Sequence, residues 1–303
     1  MEQTKEPLIG IVGFLGAGKT TLLKKLVRQC LEQNWDPYVI LNDMENAAMD
    51  AQQLVDDDLP SWIKPLTGSC ICCTGIHELR EFVNRIPQRP NGITLIEANG
   101  TSDAVSLMGF LGVGIEERFH PPVQVSVVDV KQWQQRGEHN ELEANQVQVS
   151  SLIILTHDQD VTTDRKAEVL ESLRHLNPTA PVMAAEDIDI RTLSDLPVSK
   201  NTASDFDHEK AHWASASTEL PSLPNEECIH HICDALPSTI LRVKGCTKIG
   251  DDSGYTYFEK AADAEVHIRP LNGEPITGPM LLTVGPGSDP ELLAEVVRNS
   301  VTP

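Results

Sequence analysis

The sequence predicts a doubly wound α/β domain on a mostly parallel sheet, followed by a smaller α+β domain. Three observations predict it. A loop of the form GxxxxGK[ST] opens at Gly13, between an apolar run and a stretch of helical spacing. Short apolar runs then alternate with helix-like stretches over the first ~200 residues, the rhythm of βαβ units. Several of those runs are apolar at consecutive positions, as strands covered on both faces require.

Pro7 to Val12 (PLIGIV) reads as a buried strand, with Leu8–Val12 its body. The loop that follows, Gly-Phe-Leu-Gly-Ala-Gly-Lys-Thr-Thr at 13–21, is a complete P-loop and places the chain among P-loop NTPases. Gly13, Gly16 and Gly18 let backbone N–H groups curl around phosphates without Cβ clashes, and Ala17 and Thr21 complete the cradle. Lys19 is expected to reach the β- and γ-phosphates, and the Thr20 hydroxyl to ligate Mg²⁺. A chance glycine-rich turn rarely carries the Lys-Thr pair together with both flanks. Thr20 to Glu32 then has helical spacing, with Leu22, Leu23, Leu26, Val27, Cys30 and Leu31 as its apolar residues.

Further strands are predicted at Tyr38–Asn42, Ile93–Glu97, Val123–Val128, Leu152–Leu155 and Pro181–Ala184, and helices at Ile76–Arg85 and Thr163–Leu176. The acidic loop from Asn42 to Asp50 follows the second strand. There Asp43 and Asp50 are candidates to approach the γ-phosphate or its metal, against a plain polar loop as the alternative. Glu97 ends a strand and precedes Ala98-Asn99-Gly100. A carboxylate there holds Mg²⁺ or its water as a Walker-B acid, and Gly100 offers a backbone N–H to the γ-phosphate. The alternative is an ordinary strand end with a solvated Glu. From Val198 to Asn225 the chain turns polar and rich in Ser, Thr and Pro. The domains expected are therefore 1–200, a linker at 201–225, and 226–303. The last would carry helices Glu226–Ala235 and Pro290–Asn299 and strands Thr239–Ile249, Tyr255–Ala261, Glu265–Leu271 and Met280–Val284.

Composition narrows the partners. In 303 residues, 24 Lys plus Arg stand against 45 Asp plus Glu, a formal charge of −21. Such a surface repels phosphate backbones, so no nucleic-acid partner is expected despite the nucleotide site. The N-terminus carries no signal pattern, and no apolar run approaches the ~18 residues of a membrane span. A soluble, cytoplasmic protein with no membrane partner follows. Seven cysteines without an export signal argue against a disulfide framework.

Three of them sit together, in Ser69-Cys70-Ile71-Cys72-Cys73-Thr74. Thiols at i, i+2 and i+3 can converge on one soft cation, and Zn²⁺ bonds thiolates well. Three ligands leave a fourth position open, which suits transfer. Buried free cysteines are the alternative, but two adjacent thiols do not share one apolar face.

Taken together these residues resemble the CobW-like GTPases, relatives of the UreG and HypB metallochaperone GTPases. GFLGAGKTTLL at 13–23, the CxCC of Cys70, Cys72 and Cys73, and the Glu97-x-x-Gly100 turn carry the resemblance. Val127-Val128-Asp129, Asn177-Pro178-Thr179-Ala180 and Arg242-Val243-Lys244-Gly245 extend it over nearly the whole chain. It implies a GTP-hydrolysing protein with Mg²⁺ that binds Zn²⁺ or a similar transition metal. The implied partner is a client metalloprotein or an enzyme of metal-cofactor maturation, and a homo-oligomer bridging metal between protomers is among the arrangements it allows.

Three departures stand out. The base-reading motif [NT]KxD falls on Thr156-His157-Asp158-Gln159, so Gln159 replaces the carboxylate that accepts two guanine hydrogen bonds, and His157 replaces the lysine along the base. A glutamine amide has one acceptor group and one donor group, and GTP preference therefore rests on the resemblance, with Asp160 available if the loop shifts by one residue. The family's NEFGE segment reads Asn42-Asp43-Met44-Glu45-Asn46, and Glu-Thr-Thr-Gly has become Glu97-Ala98-Asn99-Gly100. The alternative function is a nucleotide-gated interaction module with little turnover and a structural CxCC. His77 is a further candidate fourth ligand, and His208 with His212 could form an auxiliary pair, against an incidental surface pair as the commoner alternative. In Cys228-Ile229-His230-His231-Ile232-Cys233 the apolar stripe puts Cys233 in the core, apart from the histidines. Cys30 and Cys246 read as packing.

Overall fold

A computed structural model describes residues 5–42, 63–65, 76–100, 102, 104–159, 161–199, 215–240, 242–261, 265–271, 273, 275, 278–285 and 287–301. They fall into two compact units that part between residues 199 and 215. Among them no helix is long and apolar enough to cross a membrane.

The first unit is built on seven strands: β1 (Leu8–Val12), β2 (Asp36–Asn42), β3 (Ile63–Pro65), β4 (Gly92–Ala98), β5 (Val123–Asp129), β6 (Leu152–Thr156) and β7 (Val182–Ala184). Their order is β3-β2-β4-β1-β5-β6-β7, and every neighbouring pair is parallel. The chain winds from β1 to one side, then returns and winds to the other, so β1 lies at the reversal point where such sheets bind ligands. β1, β4 and β5 are buried at every residue, which explains the unbroken apolar run of β1, while β4 and β5 also bury Thr94, Glu97, Gln124, Ser126 and Asp129. One face is packed by helices α2 (Ile76–Arg85) and α3 (Ala104–Leu111), through Leu79, Val83, Leu107 and Leu111. Farther along, Val169 and Leu173 of a helix over Thr163–Leu176 join Ile153 and Leu155 of β6. Helix α1 (Lys19–Glu32) buries Leu22, Leu23, Leu26, Val27 and Cys30, whereas Leu31 stands 40% exposed off the stripe.

The amino-terminal edge of this sheet is closed by ions. Glu6 is met by Arg89 and by Arg118 at 3.5 Å, and Thr94 Oγ1 donates to its Oε1 at 2.8 Å. Arg89 also lies over the Tyr38 ring and Arg118 over the Phe119 ring. Both guanidiniums are nearly buried, so each needs the carboxylate.

The second unit is an antiparallel sheet of order β11-β10-β9-β12-β8, where β8 is Ser215–Glu219, β9 Arg242–Thr247, β10 Tyr255–Ala261, β11 His267–Leu271 and β12 Met280–Val284. Helices over Glu227–Ala235 and Pro290–Val301 pack on one face through Ile229, Ile232, Leu293 and Val297 against Phe258 and Leu281. Gly245 pairs with Phe258 across β9 and β10, and a Cβ there would run into the Phe258 ring. Position 245 therefore takes no larger residue without displacing the ring.

Two strands differ from expectation. β8 pairs with β12 along its whole length inside the stretch read as a 201–225 linker. Its sequence, Ser-Ala-Ser-Thr-Glu, hides one buried residue, Ala216, among polar ones. β3 is a three-residue edge strand containing Pro65, too short to leave a periodic signal.

Candidate functional site

The reversal point places a loop and a carboxylate side by side. Ile11 of β1 pairs with Glu97 of β4, so the end of β4 lies beside the loop that leaves β1. That loop bends through Gly13, Gly16 and Gly18, all at positive φ. Two of these positions favour glycine, one for want of space and one for its backbone conformation. A Cβ on Gly13 would sit 2.5 Å from the Val127 carbonyl oxygen, and Gly18, at φ +92°, caps α1 in the left-handed region. No side chain among the described residues caps α1, whose first-turn N–H groups and dipole are set to receive an anion.

Lys19 is 5% exposed and folds back over the loop, donating to the Gly13 and Phe14 carbonyl oxygens at 3.0 and 3.2 Å. Thr20 Oγ1 donates to Glu97 Oε1 at 2.8 Å, and Glu97 is 8% exposed. A hydroxyl and a buried carboxylate, one on the first turn of a helix and one at a strand end, form a pair of hard oxygen donors that fits Mg²⁺. Gly100 comes so close to the loop that a Cβ would lie 2.6 Å from Leu15 Cδ2 and 2.8 Å from the Leu15 backbone nitrogen.

On the other side of β1 the loop is stitched to β6. Thr156 Oγ1 donates to the Ala17 carbonyl at 2.8 Å and to that of Val128 at 3.2 Å. The residues after it are each engaged. His157, at φ +52°, holds Asp129 Oδ2 through Nδ1 at 3.1 Å. This hydrogen bond raises its imidazole pKa, against the opposing effect of burial. Asp158 takes the Lys166 ammonium at 2.5 Å. Gln159 Nε2 donates to Glu186 Oε1 at 2.5 Å.

The network beneath them was not read from the sequence. Asp129 also faces Arg136 at 3.7 Å, and Arg136 faces Glu143 Oε1 at 3.6 Å while lying over the Phe14 ring of the phosphate loop. Burial pushes the Glu143 carboxyl up to about 7, although the Gln134 N–H at 2.7 Å and Arg136 pull it down. The sequence presents Asp129 only within Val127-Val128-Asp129, and no local motif flags Arg136, Glu143 or Glu186.

Asp43, Asp50, Cys70, Cys72, Cys73, Asp160, His208 and His212 lie outside the described residues, as does the His77 side chain. Among the described residues no group of three or more His, Cys, Asp or Glu could hold a metal. Cys30, Cys228, Cys233 and Cys246 are buried free thiols. Burial raises Cys30 to about 12 and Cys233 to about 11, which keeps them protonated and poor ligands. His230 and His231 are exposed on the far side of their helix from that core.

A parallel sheet with its phosphate loop and strand-end carboxylate at the reversal point defines a P-loop nucleotide-binding protein. The family described as CobW/HypB/UreG, nucleotide-binding domain, matches residues 7–184, and the chain belongs to it. It is 28% identical over 193 residues to zinc chaperone YjiA of Escherichia coli (strain K12), a match over 60% of this chain and 59% of that one. It is 24% identical over 217 residues to zinc-regulated GTPase metalloprotein activator 1 of Dictyostelium discoideum, over 59% and 45% of the two chains. The chain thus spans about half the length of the curated relatives it matches. Among solved structures, Zn(II)-bound YjiA GTPase from E. coli is similar at a TM-score of 0.44 and 18% identity, over 99% of each chain.

Proposed function

We propose that this protein is a nucleotide-hydrolysing metallochaperone. GTP is taken by the loop from Gly13 to Thr21, and Zn²⁺ or a similar transition metal is the cargo of Cys70, Cys72 and Cys73. A client metalloprotein, or an enzyme of metal-cofactor maturation, receives it. The observation that carries the nucleotide half is the contact of Thr20 Oγ1 with Glu97 Oε1 beside the folded-back Lys19. The spacing of the CxCC and the zinc-related names of the relatives support the cargo half.

Thr20 and Glu97 would hold Mg²⁺, which when bound neutralises charge on the phosphate oxygens. Lys19 exchanges its two carbonyl partners for β- and γ-phosphate oxygens, so its charge is already in place before the nucleotide arrives. Gly100, packed on Leu15, would offer its backbone N–H to the terminal phosphate. Asp43 is the proposed acid that orients the attacking water. Hydrolysis proceeds by positioning and charge neutralisation, without a covalent intermediate on the protein. Nucleotide state sets metal affinity, and by linkage metal sets nucleotide affinity by the same factor.

The test is a Zn²⁺ competition titration against a chromogenic chelator, on the wild type and Cys72→Ser, with GDP and with a non-hydrolysable GTP analogue. The expected result is thiol-dependent binding that differs between the two nucleotides. Equal affinity in both states would sink the coupling. Tight nucleotide binding with turnover at background would favour a nucleotide-gated interaction module instead.

A further inference from the structure

The end of the sheet opposite Glu97 holds a carboxylate that neither the phosphate site nor the network under His157 uses. Thr20 and Glu97 lie on the β4 side of β1, and mark where the terminal phosphate and its metal belong. A nucleotide seated on the loop therefore extends its nucleoside to the other side, over the carboxyl ends of β6 and β7. The loop is bonded to that side through Thr156 and Ala17. Beyond β7 the chain is pinned along α1. Lys25 Nζ donates to the Ala185 and Glu186 carbonyls at 2.7 and 2.6 Å, and Gln29 Nε2 to that of Ile188 at 2.9 Å. The Ala185 N–H continues the pairing to the Leu155 carbonyl at 2.9 Å. The backbone at 186 is thus fixed from two sides, while its side chain is exposed and bonded to the exposed Gln159.

A guanine edge offers two adjacent donors, N1–H and the exocyclic N2–H. A carboxylate accepts both, whereas a carboxamide offers one acceptor and one donor. Adenine offers a donor beside an acceptor and suits the carboxamide. We propose that Glu186, held one hydrogen bond from position 159 by Gln159 Nε2, supplies the carboxylate that reads a guanine-type base in this chain. The assignment rests on the nucleotide reading above. It gives Gln159 the role of a positioning residue, and moves the base-reading charge from β6 to the end of β7.

The experiment measures GDP, IDP and ADP affinities of the full chain by displacement of a fluorescent nucleotide. IDP lacks the N2 amino group and so isolates the second hydrogen bond. The variants are Glu186→Gln, the double variant Gln159→Asp/Glu186→Gln, and Lys19→Ala. Wild type is expected to prefer GDP over IDP and ADP. Glu186→Gln should weaken GDP by about ten- to a hundredfold, bringing the GDP-to-IDP ratio toward one, with ADP little changed. The double variant should restore GDP preference by returning the carboxylate to position 159. A GDP-to-IDP ratio unmoved by Glu186→Gln, or a wild type that does not distinguish the two, overturns the assignment and leaves the nucleotide site standing. Binding of every nucleotide untouched by Lys19→Ala would instead overturn the nucleotide reading itself.

Discussion

Asp129 stands between two groups whose charge follows pH, His157 on one side and, through Arg136, Glu143 on the other. Glu143 titrates at about 7 in the fold because burial disfavours its charge. The folded chain then holds that proton over a window where the unfolded chain has lost it. Stability from this group is full below about pH 4.5 and falls as pH rises to about 7. His157 acts in the same sense. Its raised pKa means stability present below its unfolded value and lost as pH climbs through the folded one. Glu143→Gln should therefore gain on the wild type by on the order of 3 kcal/mol between pH 4.5 and 7, read from denaturant midpoints across that range. Glu97→Gln tests the other side of β1. It keeps an acceptor for Thr20 but removes the charge, so Mg²⁺-dependent turnover should fall by about a hundredfold with thermal stability unchanged. Equal loss of stability and turnover would make Glu97 a structural residue.

At the scale of elements, the amino-terminal edge depends on Glu6. Glu6→Ala leaves Arg89 and Arg118 buried without their carboxylate, and should cost about 3–5 kcal/mol in urea unfolding of the full chain. In the second sheet, Gly245→Ala should cost roughly 1–3 kcal/mol, and adding Phe258→Leu should recover part of it by vacating the ring's place. Additive losses in that pair would argue that the ring is not the obstacle. The same elements divide what was legible in the sequence from what was not. β1, β4, β5 and β6 announce themselves because burial on both faces makes most of their residues apolar. β8 does not, because among its described side chains only Ala216 is buried, in a run of Ser and Thr. Thr20 and Glu97 were legible as a loop motif and a strand end. The partnership of Gln159 with Glu186, or of Arg136 with Asp129 and Phe14, is made by tertiary contacts between chain segments, for which no local spacing exists. The residues after Thr156 could be compared with a motif, but only their contacts show that each already has a partner.

For the whole molecule, the formal charge of −21 sets a like-charge repulsion that compactness must overcome. Raising salt from about 10 mM to about 150 mM shortens the screening length from roughly 30 to 8 Å. The thermal midpoint is expected to rise over that range at constant pH, and a fall would mean that surface ion pairs outweigh the net charge. The strand order has a consequence in time. β1, which carries the phosphate loop, pairs with neither of the two strands that follow it but with β4 and β5. The segment from Leu8 to Val12 must therefore wait until Gly92–Ala98 has been synthesised before it finds its first strand partner. At about 5–20 residues per second that interval is roughly 4–16 s. Throughout it the strand that carries the phosphate loop lacks both of the strands that bury it, so the nucleotide site is among the later features of the nascent chain to be completed.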